Sequence, residues 1–149
     1  MPEKNSKTPL FSDQEALVGV FQRIGKTKFT NSRISEETTL YYSGFMVKYR
    51  LMDVSFGDKS LDRLETDPKF DAGFSPAIVS AFRKRMQVIR MAPDERVFYG
   101  LRSLHFEKLK GARSHQYSMR LNDQWRLIIE FHQEAERKVV RIIAIEDYH

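Results

Sequence analysis

Four consecutive residues, Glu146-Asp147-Tyr148-His149, follow the segment from Val139 to Ile145, apolar except at Arg141, and supply two carboxylates, a phenol and an imidazole in one place. An imidazole that titrates near pH 6.5 beside a carboxylate is a suitable acid/base pair at neutral pH. A frayed tail with Tyr148 packed on a helix is the plainer reading of the same residues. Two other segments strengthen the chemical one. Glu107-Lys108-Leu109-Lys110-Gly111-Ala112-Arg113 sets one acid among three bases. In Ser118-Met119-Arg120-Leu121-Asn122-Asp123-Gln124-Trp125-Arg126, strand alternation keeps Arg120 in step with Ser118 and Asn122. A tight turn at Asn122-Asp123 then brings Arg126 opposite Leu121 or Arg120. Two planar guanidinium forks on one side of a hairpin can converge on a phosphate, because each binds it in bidentate fashion and never loses its charge. Taken singly, each is an ordinary surface arginine.

The charge distribution favours the same ligand. The chain carries a formal +5, with 25 Lys and Arg against 20 Asp and Glu, and from Arg83 to Arg126 eleven basic residues face only four acidic ones. Such a stripe suits phosphate neutralisation by counterion release, which makes nucleic acid the leading partner class. A solvated basic face is the alternative. The chain has no Gly-rich phosphate loop, no His-x-x-x-His pair and no serine nucleophile elbow. Its four histidines, His105, His115, His132 and His149, are scattered, and it has no cysteine. The expectation is chemistry that uses neither a metal nor a cofactor.

These residues must be positioned by a scaffold, and 149 residues with 41% hydrophobic content suffice for one ordinary domain. The longest stretch without a charged residue, Ala72 to Phe82, is far shorter than the roughly 18 to 20 apolar residues of a membrane span. No apolar segment follows the first lysines, so a cytoplasmic location is expected. Residues 1–45 read as an extension, partly disordered, with one helix signalled by the Ser12/Glu15 capping box, the Leu17, Phe21, Ile24 face and the stop at Gly25. Lys26 to Ser43 shows no sustained periodicity and reads as loop. An early start codon, with Met46 or Met52 as the real beginning, would also explain the extension.

Residues 46–149 read as the compact domain. Met52, Val54 and Phe56 alternate as a first strand, and Asp58 to Thr66 forms a short helix anchored by Leu61 and Leu64. Ser75 and Pro76 start a longer helix, with Phe74 stapled to Val79, that ends at Ala92 before Pro93. Val79, Phe82, Met86 and Ile89 make its inner stripe and leave Arg83, Lys84, Gln87 and Arg90 outside. Strands then follow at His105 to Leu109, Gln116 to Leu121, Trp125 to Phe131 and Val139 to Glu146, with a polar loop from His132 to Lys138. Val140, Ile142 and Ala144, with Ile143 and Ile145, suggest a strand buried on both faces. The order predicts an α+β fold, two helices packed on a mostly antiparallel sheet.

Leu109-Lys110-Gly111, the run Ser118-x-Arg120-x-Asn122-Asp123-Gln124-Trp125-Arg126, and Glu146-Asp147-Tyr148-His149 together resemble the HigB-type toxins of the RelE/ParE superfamily, over roughly residues 52–149. The resemblance implies a RelE-like fold and ribosome-dependent cleavage of mRNA in the A site. It also implies neutralisation by a HigA-type helix-turn-helix antitoxin. By position it implies a catalytic group of Asp147, Tyr148, His149 and Arg126, and an RNA path lined by Lys110 and Arg120, with Lys108 and Arg113 beside them. One position departs: some members carry a histidine where this chain has Glu107, with His105 two residues earlier. The missing function falls to Glu107 as base or to His105 as substitute. A non-catalytic protein on the same scaffold, a ParE-like gyrase inhibitor or an antitoxin-binding regulator, is the competing class.

Overall fold

The computed structural model describes residues 38–42, 45–49 and 51–148. The helix expected near Ser12 to Gly25 lies outside these residues, as does His149. Strands β1 (Thr38–Tyr42) and β2 (Phe45–Tyr49) pair antiparallel, with Thr38 opposite Tyr49 and Tyr42 opposite Phe45. The stretch read as loop up to Ser43 therefore carries a strand at its end. Thr38-Thr39-Leu40-Tyr41-Tyr42 is a run of β-branched and aromatic residues, so its signal is propensity and not alternation. The ladder also straddles the boundary expected at residue 45.

Strand β3 (Asp53–Phe56) leads into α1 (Lys59–Thr66), whose N-cap Asp58 accepts the Ser60 amide at 2.7 Å. Helix α2 (Pro76–Met91) starts where expected, with Ser75 Oγ accepting the Ile78 amide and Pro76 in the first turn. Its stripe of Ile78, Val79, Phe82, Met86 and Ile89 is buried. Two residues expected to point outward instead tie the helices together. Arg83 donates to the carbonyls of Leu64, Asp67 and Phe70 at 3.0, 2.8 and 3.4 Å, satisfying acceptors at and beyond the α1 C-terminus. Arg90 grips Glu65 with both forks, at 2.5 and 2.7 Å. A third short helix, α3 (Arg96–Gly100), buries Val97 and Phe98 and was not legible as a helix because it is a single turn of mixed composition.

The remaining strands are β4 (Glu107–Lys108), β5 (Gln116–Arg120), β6 (Trp125–Glu134) and β7 (Arg137–Asp147). They form a five-stranded sheet of order β3-β7-β6-β5-β4 that is antiparallel except for the parallel pair β3 and β7. The first of these strands is much shorter than expected: His105 is a left-handed residue (φ 43°) closing a 3-10 turn. The last two are longer. The polar segment His132 to Lys138 is mostly ladder, pairing Gln133 with Lys138 and Glu134 with Arg137 around a turn at Ala135-Glu136. The core lies between the helices and the face of the sheet that carries Met119, Leu127, Ile129, Val140 and Ile142.

Candidate functional site

Because strand side chains alternate, the residues between these core positions project from the opposite face of the sheet. Four pairings assemble that face: Arg120 opposite Arg126, Ser118 opposite both Glu107 and Ile128, and Arg126 opposite Glu146. The two arginines that the sequence places across the turn are thus direct cross-strand neighbours on one side. The turn between them is set by Asn122, whose side-chain oxygen accepts the amides of Gln124 at 2.9 Å and Trp125 at 2.7 Å. Asn122 also accepts Arg126 Nη1 on its backbone carbonyl at 2.7 Å, and Arg120 is paired with the exposed Asp123. Both guanidinium groups are therefore drawn toward the same turn.

The chain's last residues reach this face only because of an irregularity in β7. Ile128 stands opposite Ala144 and Ile129 opposite Ile142, which leaves Ile143 as an extra residue. Strict alternation from Val140 and Ile142 would put Ala144, Glu146 and Tyr148 toward the helices. The bulge inverts the parity beyond it, a device that re-aims side chains. Ile145 now packs on the core, while Glu146 stands opposite Arg126 on the open face. The Tyr148 amide donates to the Gln124 carbonyl at 2.8 Å and extends the ladder by one step. Its ring lies under the Arg126 guanidinium, 4.7 Å from Cζ to the centroid, and its hydroxyl donates to Glu107 Oε1 at 3.2 Å. Tyr148 thus spans from β7 to β4, with Arg126 stacked on the way.

The remaining expected residues are distributed unevenly. Asp147 shares the register of Trp125, on the opposite parity, and its Oδ2 accepts Gln124 Nε2 at 2.6 Å. His105 is off the strand, yet its Nε2 lies 3.3 Å from Arg120 Nη1. A guanidinium only donates, so that contact uses the Nε2 lone pair and puts the ring proton on Nδ1. Arg113 is held by a bidentate pair to Glu146 (2.9 Å for both bonds) and donates to Gln116, and the Glu146 carboxylate holds it above the ordinary arginine range. Lys110 is exposed just before Gly111, whose φ of 65° makes the turn. Lys108 stands opposite Tyr117, a residue of the core face, with its amine 5.9 Å from that ring. It is therefore on the other side of the sheet from Glu107. His149 lies outside the described residues. Farther along the open face, the Gln116 amide, then His132 and His115, hold Glu130 below the ordinary carboxylate range. Among the described residues no three His, Cys, Asp or Glu gather as a metal would require.

The sequence reading missed the anchoring parts: Asn122 and Gln124, which shape the turn and hold the chain's end, and Asp123, the partner of Arg120. The Asn-Asp pair signalled the turn, but the contacts of Gln124 with Asp147 and Tyr148 depend on where β7 ends.

A protein of this build, with helices on one face of a mostly antiparallel sheet and arginine, tyrosine and carboxylate groups on the other, matches a known family model over residues 54–149: the RelE-like toxins of type II toxin-antitoxin systems described as HigB-like. The chain belongs to that family, and it is a toxin of that class. Among solved structures, a YoeB/ParE toxin from Agrobacterium tumefaciens is similar at 19% identity, covering 66% of this chain and all of that one, with a TM-score of 0.46. A YoeB-YefM complex from Staphylococcus aureus is similar at 16% identity over 66% of this chain and 97% of that one, with a TM-score of 0.41. No curated protein sequence matches. No helix among the described residues is long and apolar enough to cross a membrane.

Proposed function

We propose that this toxin is a metal-free endoribonuclease that cuts mRNA in the A site of the ribosome, arrests translation, and is held inactive by a HigA-type antitoxin. The observation that carries the reading is the constellation of Glu107, Tyr148 and Arg126 beside Arg120 on the sheet face away from the helices. RNA brings its own nucleophile, the 2'-hydroxyl. Glu107 takes that proton, the 2'-oxygen bonds to the adjacent phosphorus, and the bond to the 5'-oxygen breaks, leaving a 2',3'-cyclic phosphate. His149 protonates the departing oxygen, and Asp147, on the other parity, holds the end of β7 through Gln124. Arg126 and Arg120 stabilise charge building on the phosphate, where fixed cations act most strongly. Tyr148 keeps Glu107 and Arg126 in register and offers its exposed ring to a base.

The exposed Asp123 is a weak competitor for Arg120, since surface ion pairs contribute about 0 to 1 kcal/mol. A phosphate can displace it. Arg113, already forked onto Glu146, contributes to the field of the site more than to direct contact. Lys110 remains beside the path, and Lys108 lies off it. Proton transfers of this kind contribute typically about 10² to 10⁴-fold. Placement of the message by the ribosome supplies the orientation that a small protein lacks.

The deciding experiment incubates purified toxin with programmed ribosomes and, separately, with the same mRNA alone, and maps the ends by primer extension. Ends within A-site codons, formed only with ribosomes and lost on removal of residues 147–149, support the reading. Growth arrest that survives that removal, with no new mRNA ends, identifies a non-catalytic inhibitor of the ParE kind and refutes it.

A further inference from the structure

Arg85 has the spacing of a core residue. Ile78, Phe82, Arg85 and Ile89 recur at intervals of four, three and four, which is one face of a helix, and the other three are buried in the core. A cation in an apolar stripe is costly unless something compensates it. Its Nε donates to the backbone carbonyl of Arg120 at 2.8 Å. That carbonyl is available because β4 pairs only with Tyr117 and Ser118, while the next amide, Leu121, bonds toward β6 at the Trp125 carbonyl. Arg85 thus caps the bare end of β5 with one donor of five and, among the described residues, has no carboxylate partner. Its charged neighbour is another cation, Arg120. Burial first, and then the Arg120 charge, lower Arg85 from the ordinary arginine range. Asp123 pairs with Arg120, so the charge left without a carboxylate at the edge of the site is that of Arg85, and an incoming anion would meet it.

We infer that Arg85 is a phosphate-contacting residue: with Arg120 it forms a second seat for the RNA backbone, where α2 meets the edge of β5. The inference rests on the proposed ribonuclease reading and extends the RNA path from the open face of the sheet around its edge to the helix layer. The free Nη groups supply the contact, and the Nε bond fixes the fork, so little side-chain freedom is lost when the anion arrives.

The test measures affinity for a short single-stranded RNA by fluorescence anisotropy across a series of KCl concentrations. Arg85→Gln, which can still donate to the Arg120 carbonyl, is expected to weaken binding about tenfold and to lower the slope of log affinity against log salt by about 0.7, one phosphate contact's worth. Arg85→Lys keeps the charge and should keep the slope. An unchanged slope in Arg85→Gln overturns the inference whatever happens to the melting temperature, because a purely structural brace would shift melting alone. Arg126→Gln separates the two levels. If it lowers the slope and Arg85→Gln does not, only the role of Arg85 fails. If the unmodified protein shows no salt-dependent RNA affinity, this inference fails by itself, because the ribonuclease reading is decided by cleavage on programmed ribosomes. Should Arg85→Gln not fold, the Arg85 Nε–H resonance in labelled wild-type protein must move on RNA addition, and its failure to move is equally decisive.

Discussion

Tyr148 carries two separable contacts, a hydroxyl on Glu107 and a ring under Arg126. Tyr148→Phe keeps the ring and loses the hydroxyl, so its cleavage rate on ribosomes should fall about tenfold, the loss of one hydrogen bond to a charged group. Glu107→Gln removes the base itself and should cost about 10² to 10⁴-fold in the same single-turnover assay. Similar small losses in both would show that Glu107 moves no proton. A third residue gives a pH signature. Glu130 is held low chiefly by Gln116, with His132 and His115 beside it and Arg141 opposite in the ladder. A carboxylate lowered on folding stabilises above its unfolded pKa, about 4.3, and that contribution is lost as the pH falls through the folded value. The melting advantage of wild type over Glu130→Gln should therefore be full near neutrality and shrink below about pH 4. An advantage that does not shrink below about pH 4 would contradict this assignment. At this scale the sequence narrowed the partner of Arg126 to Leu121 or Arg120, since a tight turn leaves few registers, and the ladder selects Arg120. Lys108 projects from the other face of the sheet than Glu107, a single step of parity that proximity in the chain does not reveal.

Arg83 and Lys84 are adjacent cations on one helix and look interchangeable in the sequence. The structure separates them: Arg83 satisfies three carbonyls from another segment, and Lys84 is exposed. Arg83→Met is expected to destabilise by about 2 kcal/mol in urea unfolding, against less than about 0.5 kcal/mol for Lys84→Met. Equal effects would mean that the brace contributes nothing. The helix starts, by contrast, were legible because capping is local: Asp58, Ser75 and Pro76 sit where their side chains and rings must act. The strand ends were less so. His132 to Lys138 is polar on both faces, and polarity reads as loop until cross-strand partners are known. Glu134 opposite Arg137 and Gln133 opposite Lys138 make it a ladder.

For the molecule as a whole, the site depends on the sheet staying flat against its helices. Phe82 is fully buried at the centre of α2's stripe. Phe82→Ala should cost about 3 to 5 kcal/mol, a large share of the roughly 5 to 15 kcal/mol that holds a domain folded. Calorimetry should show that loss, and RNA cleavage should decline with the folded fraction. Periodicity, caps and turn residues by themselves determined the two main helices, the order of the strands in the chain, the α+β class and the nearness of Arg120 to Arg126. Each of these follows from interactions within a few residues or from a repeating face that must be buried. Tertiary structure alone decided which face receives the chain's last residues, because one extra residue at Ile143 inverts the alternation and no local preference marks where a ladder will slip. It alone decided, too, that an arginine in α2 meets the bare end of β5, since that meeting depends on β4 stopping after two residues.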